Sequence, residues 1–102
     1  MLLSQVLLNY IARGMDLLTS VRTPRVHHQY FPSLLQLEHG ATLHPVNVIS
    51  VDADVRAALV ARHQTLLQAN TTAITQFISV DPDSGLLTGV SDPRKDGTPA
   101  AV

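Results

Sequence analysis

The segment TAITQFISVDPDSGLLTGV, residues 72–90, is the part of the sequence that most clearly predicts a fold. Its first part, Thr72–Val80, is an extended run whose two faces both carry apolar side chains, Ile74, Ile78 and Val80 on one and Ala73 and Phe77 on the other. Residues 81–85 predict a tight turn, because proline fixes φ, aspartate side chains bond nearby backbone groups and glycine accepts a positive φ. Leu86–Val90 then returns antiparallel, and Gly89 indicates a bulge or a close approach. We therefore predict a β-hairpin whose first strand is covered on both faces.

Two helices are predicted at the start of the chain. Apolar residues recur every three or four positions from Leu3 to Ile11, which predicts a helix over residues 2–13, and Gly14 suits a left-handed C-cap. Asp16 is placed to cap a short second helix, whose apolar residues are Leu17, Leu18 and Val21. Pro24 ends this helix, because the residue before a proline is pushed out of helical geometry. Residues 23–33 are then expected to form an extended loop.

A strand follows this loop. Leu35–Glu38 alternates apolar and polar residues, which is typical of a half-buried strand, and His39 and Gly40 are expected to end it. The stretch 41–50 fits no single element.

A further helix and a short strand are predicted before the hairpin. The helix is expected to start at Asp52 or Asp54, with Arg62 and His63 near its C-terminus, where positive charge suits the helix dipole. Its predicted inner stripe is Val55, Ala58 and Leu59. A short strand is expected near Thr65–Leu67.

Composition limits the class of protein. With 102 residues, 45% of them hydrophobic and 15% charged, and a formal net charge of -1, the chain predicts one small packed domain and excludes a disordered segment. No basic cluster is present to release counterions from a nucleic acid, so no nucleic-acid partner is expected. The lack of cysteine excludes a disulfide scaffold and a thiolate nucleophile or metal ligand. The interrupted apolar run at the N-terminus predicts neither a signal peptide nor a membrane contact from this segment.

Few residues have the spacing that catalysis or metal binding requires. Adjacent His27 and His28 point to opposite sides of an extended chain, and no two histidines lie four apart on a helix, so no metal site is expected. The complete set of histidines is His27, His28, His39, His44 and His63. The sequence contains no Gly-x-Ser-x-Gly elbow and no glycine-rich phosphate loop. Asn70 begins a glycosylation acceptor pattern, which matters only if the chain is secreted and otherwise suits a polar turn.

Two segments each place a proline beside an arginine in a loop next to a core element. They are Pro24-Arg25-Val26-His27-His28-Gln29-Tyr30-Phe31-Pro32 and Gly89-Val90-Ser91-Asp92-Pro93-Arg94-Lys95-Asp96-Gly97. From the residues alone, each is a rigid turn whose arginine bonds backbone carbonyls or a carboxylate. Together with Asn9–Leu17 and Leu35–Gly40, and in this order along the chain, they resemble the gamma-glutamyltransferase (gamma-glutamyl transpeptidase) family. The resembling part of that family is the C-terminal part of its small subunit.

The resemblance implies a fold and a chemistry. It implies an α/β (α+β) protein that forms part of the αββα fold of the N-terminal nucleophile hydrolases, with a mainly antiparallel sheet and helices on one side. In that family an N-terminal threonine attacks the gamma-glutamyl carbonyl of glutathione, with its own α-amine as the base. The acyl group then passes to water, to an amino acid or to a peptide. No cofactor is required.

The resemblance also implies what this segment supplies. The family's threonine, its Ser-Ser pair and its Gly-Gly motif lie upstream of the helix that begins at Leu2, so we expect no catalytic or substrate-binding residue here. Residues 1–102 are then a single incomplete domain, a C-terminal fragment that is scaffold and is inactive alone. The expected partners are the remainder of the small subunit and the large subunit. The parent enzyme's substrates are glutathione and gamma-glutamyl compounds, and the family is extracellular, periplasmic or held at the outer cell surface.

Two hypotheses of different classes stay open at this point. The chain is a fragment of a gamma-glutamyltransferase, or it is a stand-alone, non-catalytic interaction domain derived from that family. The structural candidates are Arg25, Asp92 and Arg94. The two arginines follow prolines in loops that the fold can bring to one end of a sheet, and we expect one of them to pair with Asp92.

Overall fold

The structure is a computed structural model that describes residues 2–43, 47–70 and 73–100. Within these ranges the chain forms three α-helices, one π-helical segment and six β-strands. The strands belong to a four-stranded sheet and a separate two-stranded sheet, and most of the pairings are antiparallel. The predicted α+β class with mainly antiparallel strands is therefore confirmed. His44 and Thr72, which the sequence singled out, lie outside the described residues.

Both N-terminal helices are present, but the first, predicted over residues 2–13, is α-helical only in its first half. Helix α1, Leu2–Leu7, continues directly into the π-helical segment Leu8–Ala12, and Gly14 follows with a φ of 65°. Helix α2, Leu17–Arg22, is capped by Asp16, whose Oδ1 accepts a hydrogen bond of 2.9 Å from the backbone N–H of Thr19. This cap satisfies one of the donors that the first turn of a helix leaves unpaired.

The predicted loop 23–33 is wrong over three residues, because Val26–His28 form strand β1. Strand β1 pairs antiparallel with strand β2, which runs from Leu35 to Leu43. A strand of three residues is too short to show an alternation of apolar and polar residues in the sequence. Only its pairing with β2 identifies this segment as a strand.

Strand β2 is longer than predicted. His39 and Gly40 were expected to end it, but Gly40 has a φ of 68° and the pairing with β3, Asn47–Ser50, shifts register between His39 and Ala41. A bulge of this kind bends a strand without ending it, and glycine provides the positive φ that the bend needs.

The helix and strand between the sheet and the hairpin are both present. Helix α3, Ala53–Ala61, has Asp52 as its N-cap residue, and strand β4, Leu66–Ala69, pairs parallel with β2. The predicted inner stripe of α3 is wrong for this chain, since the helix has no buried residue and Val55 is 47% exposed. The apolar spacing identifies an apolar face of the helix, but it does not show whether residues of this chain pack against that face.

The hairpin consists of β5, Phe77–Val80, and β6, Leu87–Val90, which pair antiparallel. Its turn is confirmed, since Asp81 Oδ1 accepts hydrogen bonds from the N–H groups of Asp83 and Ser84 and Gly85 has a φ of 71°. The first strand is shorter than predicted, because residues 73–76 belong to no helix or strand. Pairing continues regularly through Gly89, so there is no bulge, and a Cβ added there would lie 3.4 Å from the Cβ of Pro99.

The hairpin is not covered on both faces, which corrects the prediction. Ile78 is 70% exposed and Val80 is 61% exposed, and Leu87 pairs with Val80 on the same face. The opposite face packs inward, where the Phe77 ring lies 5.7 Å from the ring of Tyr10. We call the exposed set Ile78, Val80 and Leu87 the outer hairpin face.

The apolar core is small. Its buried members come from both N-terminal helices, from β2 and from the residue after β3, namely Val6, Leu17, Val21, Leu35, Leu37, Ala41, Leu43 and Val51. Charged side chains are buried as deeply as these residues, and they form the site described next.

Candidate functional site

Four charged side chains are buried together at the end of α2. They are Arg25, Glu38, Asp92 and Arg94, which we call the ion cluster. Arg25 is 2% exposed, Glu38 and Asp92 are 0% exposed, and the side chain of Arg94 is 1% exposed. Two cations and two anions balance, as burial of charge requires.

Arg25 lies between α2 and β1 and is bound on several sides. Its Nη2 lies 2.8 Å from Asp92 Oδ2 and donates a 2.7 Å hydrogen bond to the backbone carbonyl of Val21. Its Nη1 donates to the carbonyl of Ala73 at 2.8 Å, and its backbone N–H donates to Glu38 Oε2 at 2.9 Å. Burial, followed by repulsion from Arg94, lowers the pKa of Arg25 from its usual value. An arginine nevertheless stays protonated in a protein.

Arg94 binds Glu38 through two parallel hydrogen bonds. Its Nε donates to Glu38 Oε1 at 2.6 Å, and its Nη2 donates to Glu38 Oε2 at 2.5 Å. This bidentate geometry is the strongest form of a charge-assisted pair. Burial alone would lower the pKa of Arg94, but the hydrogen bond and negative charge of Glu38 raise it.

Asp92 accepts hydrogen bonds from both sides of the cluster. Its Oδ2 accepts from the backbone N–H of Thr75 at 2.9 Å, and its Oδ1 accepts from the backbone N–H and the Nη1 of Arg94, each at 3.1 Å. Burial alone would raise the pKa of Asp92. The two backbone N–H groups and the charges of Arg25 and Arg94 outweigh burial and lower this pKa.

Both arginines also bind the C-terminal end of α2. The carbonyl of Val21 accepts from Arg25 Nη2 and, at 2.9 Å, from Arg94 Nη1, and the carbonyl of Thr23 accepts from Arg94 Nη2 at 3.1 Å. The last carbonyls of a helix lack partners within the helix and carry partial negative charge, so cations are favourable there. The ion cluster therefore connects the end of α2, β2 and the segment after β6.

The structure brings all three sequence candidates together. Either arginine was expected to pair with Asp92, and both contact it. Sequence reasoning missed Glu38, because the alternation in Leu35–Glu38 assigned it to a half-exposed strand face. The charge count of the two segments gave a signal, since they contain three cations, Arg25, Arg94 and Lys95, but only two anions, Asp92 and Asp96.

The four histidines that the structure describes, His27, His28, His39 and His63, do not come together as a metal site. In residues 2–43, 47–70 and 73–100 no group of three or more histidine or carboxylate side chains is placed to hold a metal ion. His28 Nδ1 accepts a 2.9 Å hydrogen bond from the backbone N–H of Tyr30, and His63 is exposed just after α3. Asn70 is exposed in a bend, and its glycosylation remains a prediction. Among the helices of the described ranges, none is long and apolar enough to cross a membrane.

The ion cluster holds separate segments of the fold together, and its side chains are closed to solvent. Its four side chains bind one another and backbone atoms, and none of them is more than 2% exposed. A cluster closed in this way acts on stability and on the placement of neighbouring segments.

Solved structures with the same fold define the class of protein. The gamma-glutamyltranspeptidase of Pseudomonas nitroreducens complexed with L-DON superimposes with a TM-score of 0.78 at 27% sequence identity, over 99% of this chain and 48% of that chain. An acivicin-inhibited gamma-glutamyltranspeptidase gives a TM-score of 0.77 at 26% identity, over 94% of this chain and 47% of that chain. The fold is thus part of the N-terminal nucleophile hydrolase fold, as the resemblance implied.

Sequence comparison then identifies the family. The family described as Gamma-glutamyltranspeptidase matches residues 2–102. Glutathione hydrolase 3 of Arabidopsis thaliana is 32% identical over 120 aligned residues, which cover 96% of this chain and 19% of that protein. The chain belongs to the gamma-glutamyltranspeptidase family. It spans less than a fifth of the length of the curated relatives it matches and about half of the two solved chains.

Proposed function

We propose that this chain is the scaffold part of a glutathione hydrolase, a gamma-glutamyltransferase that cleaves the gamma-glutamyl bond of glutathione. In this proposal residues 1–102 are a single incomplete domain from the C-terminal part of the small subunit. The parent enzyme passes the acyl group to water, to amino acids or to peptides. Family membership and the share of each relative that the chain covers support the proposal.

The outer hairpin face is the observation that carries the scaffold role. Three large apolar side chains stand exposed together on one side of a two-stranded sheet, in a chain that matches about half of similar solved chains. Exposed apolar surface of this kind is typical of an interface. The proposed partners are the remainder of the small subunit, which would cover this face, and the large subunit.

The chemistry in this proposal belongs to the part of the enzyme outside this chain. An N-terminal threonine there attacks the gamma-glutamyl carbonyl, and its own α-amine takes the proton. The ion cluster contributes indirectly, because it fixes the segment after β6 against α2 and β2. No cofactor takes part in the proposed reaction, and the proposed location is outside the cytoplasm, as in the family.

The test is a chimera in which this chain replaces the matching part of the Pseudomonas nitroreducens enzyme. The chimera is expected to cleave itself and to release chromophore from a gamma-glutamyl anilide. Ile78→Lys should abolish or strongly reduce both activities, because a charge would be buried in the proposed interface. Asn70→Lys adds the same charge at an exposed bend and is the matched control.

Two outcomes would contradict the proposal. One is a chimera that expresses in folded form but neither cleaves itself nor acts on the anilide. The other is equal activity of the Ile78→Lys and Asn70→Lys chimeras, which would show that the outer hairpin face is not covered in the enzyme. The first outcome, together with a monomeric and cooperatively folded chain, would favour the stand-alone interaction domain. The DNA upstream gives an independent check, since an open frame encoding the family's threonine supports the fragment.

A further inference from the structure

A small cavity lies on the sheet face opposite Glu38. Its volume is about 160 Å³, and its lining side chains come from β2, α3 and β4: Leu37, His39, Arg56, Leu66 and Gln68. Side chains alternate between the two faces of a strand, so Leu37 and His39 share one face of β2 while Glu38 points to the other. The parallel pairing of Leu37 with Gln68 places the β4 residues on the same side as Leu37. This cavity is therefore separate from the ion cluster.

Two of the lining residues carry a buried nitrogen without a partner. Arg56 Nε and His39 Nδ1 are both buried and have no hydrogen-bond partner among the described residues. A buried polar atom left unpaired costs free energy, so each of these two nitrogens is available for a hydrogen bond to a group that enters the cavity. Gln68 is held in place beside them by a 2.9 Å hydrogen bond from its Nε2 to the carbonyl of His39.

The chemistry of the lining selects the ligand. Arg56 supplies N–H donors and a positive charge, His39 supplies a donor in its Nδ1–H form, and the side chains lining the cavity include no acid. A guanidinium matches the two oxygens of a carboxylate, and Leu37 and Leu66 provide an apolar wall for a short carbon chain. We propose that His39, Arg56 and Gln68 form a binding site for a carboxylate with a short aliphatic stem. The carboxylate is a small free acid or the side chain of an acidic residue in a longer polypeptide that contains this chain.

Propionate is the probe for this site, and propionamide is the uncharged control of the same shape. The histidine ring and arginine Nε–H signals are followed by NMR at constant ionic strength in a dilute solution of the 102-residue chain with Ile78→Lys, which removes an apolar side chain from the outer hairpin face and leaves the cavity lining unchanged. Propionate is expected to shift the His39 and Arg56 signals along a saturable curve, and propionamide is expected to leave them unchanged. Equal shifts with both compounds, or no shift with propionate, would overturn the proposal. A stronger response to inorganic phosphate would overturn the assignment to a carboxylate.

Variants separate this site from general charge effects. Arg56→Gln should weaken propionate binding, read from the His39 ring, by about tenfold or more, because it removes a charge-assisted hydrogen bond. Arg56→Lys should bind more tightly than Arg56→Gln but less tightly than the unchanged chain, because lysine keeps the positive charge but cannot bind both carboxylate oxygens as a guanidinium does. Arg62→Gln is the matched control on an exposed arginine just after α3 and should bind as the unchanged chain does. Equal affinity of the Arg56→Gln and Arg62→Gln variants would overturn the proposal.

The source of the carboxylate is distinguished by a second titration. The same propionate series is run on the longer chimeric enzyme that carries this chain. Retained binding there indicates a small free acid as the natural ligand. Binding that is lost in the longer protein, but returns when the acidic residues nearest the cavity in that protein are replaced by their amides, indicates a side chain. Loss that no such replacement restores would contradict both sources.

Discussion

Arg25 Nη2 lies 2.8 Å from Asp92 Oδ2, and both side chains are almost completely buried. Arg25 directly precedes β1, whereas Asp92 lies just after β6. A buried charge is tolerated when it is paired and hydrogen-bonded, so this contact fixes the two segments relative to each other. The two ends of the fold are therefore joined by an ion pair as well as by the Tyr10 and Phe77 rings.

Breaking this pair should cost far more than a surface substitution. Arg25→Ala and Asp92→Ala are each expected to lower the free energy of unfolding by about 3–5 kcal/mol, because each leaves a buried charge without its partner. The double variant should lose less than the sum of the two. Urea unfolding at one fixed protein concentration measures the free energy of unfolding of the two single variants and the double variant. Arg62→Ala, at an exposed position, is the control. Strictly additive losses would show that the two charges do not interact.

Arg94→Lys should be destabilising although it preserves charge. Arg94 uses Nε, Nη1 and Nη2 to bind Glu38, Asp92 and two backbone carbonyls, and one ammonium group cannot reproduce this fork. A loss of about 3 kcal/mol is expected from the unpaired groups that remain. Lys95→Arg, at the exposed neighbouring position, should be nearly neutral. Similar unfolding midpoints in urea for these two variants would show that the fork contributes nothing.

Acid should destabilise the fold partly through Asp92. Its pKa is lowered in the folded chain, whereas an unfolded aspartate titrates at about 3.9. The resulting stability is fully present above the unfolded pKa and is lost as the pH falls through the folded pKa. Thermal midpoints measured from neutral pH to about pH 2 should therefore fall less steeply in Asp92→Asn than in the unchanged chain.

Exposed aspartates provide the comparison for this acid effect. The pKa values of Asp16 and Asp81 are also lowered, through hydrogen bonds from Thr19 and from Ser84 and Asp83 respectively, so the unchanged chain keeps some acid sensitivity after Asp92 is replaced. Asp54→Asn changes an exposed site in the first turn of α3. In this variant the thermal midpoint should fall with decreasing pH about as steeply as in the unchanged chain. If the thermal midpoints of Asp92→Asn and Asp54→Asn fall equally steeply with decreasing pH, Asp92 is not a source of the acid destabilisation.

Local interactions were predictable from the sequence. The cap at Asp16 and the turn at Asp81 depend on residues within three positions, and the structure contains both. The left-handed glycines Gly14 and Gly85 follow from the same kind of short-range geometry. Elements of this type carry their physical cause within the segment, so one sequence is enough to identify them.

Interactions between distant segments were predictable only in part. The two arginines beside prolines indicated a pair with Asp92, but the place of Glu38 depends on how β2 packs against α2 and the segment after β6. The exposed faces of α3 and the hairpin were predicted to be covered. An apolar pattern indicates that a face is buried, but it does not indicate which polypeptide covers that face. Strand β1 depends on its partner β2 for the same reason.

The isolated chain should associate through its outer hairpin face. Three apolar side chains are exposed on this face, and β5 and β6 pair with no other strand of the described residues. Both features favour pairing with other copies, so light scattering should show oligomers or poor solubility. Ile78→Lys should raise the monomer fraction, whereas Asn70→Lys, with the same added charge at an exposed bend, should not. A sharp monomer peak for the unchanged chain, with a cooperative thermal transition, would contradict this expectation.

The 102-residue chain alone should not hydrolyse or transfer a gamma-glutamyl group. The reaction needs an activated nucleophile beside a base and donors aimed at the developing oxyanion. The threonines from Thr19 to Thr98 have no α-amine of their own to act as base, and none of the five glycines is adjacent to another, so no Gly-Gly pair supplies neighbouring backbone donors. Loss of one oxyanion donor already costs about a hundredfold in rate. The purified chain should release chromophore from a gamma-glutamyl anilide no faster than buffer, while the chimera that carries the family's threonine is the active control. Turnover above the blank that survives repurification from a host without its own enzyme would show that this chain holds a second active site.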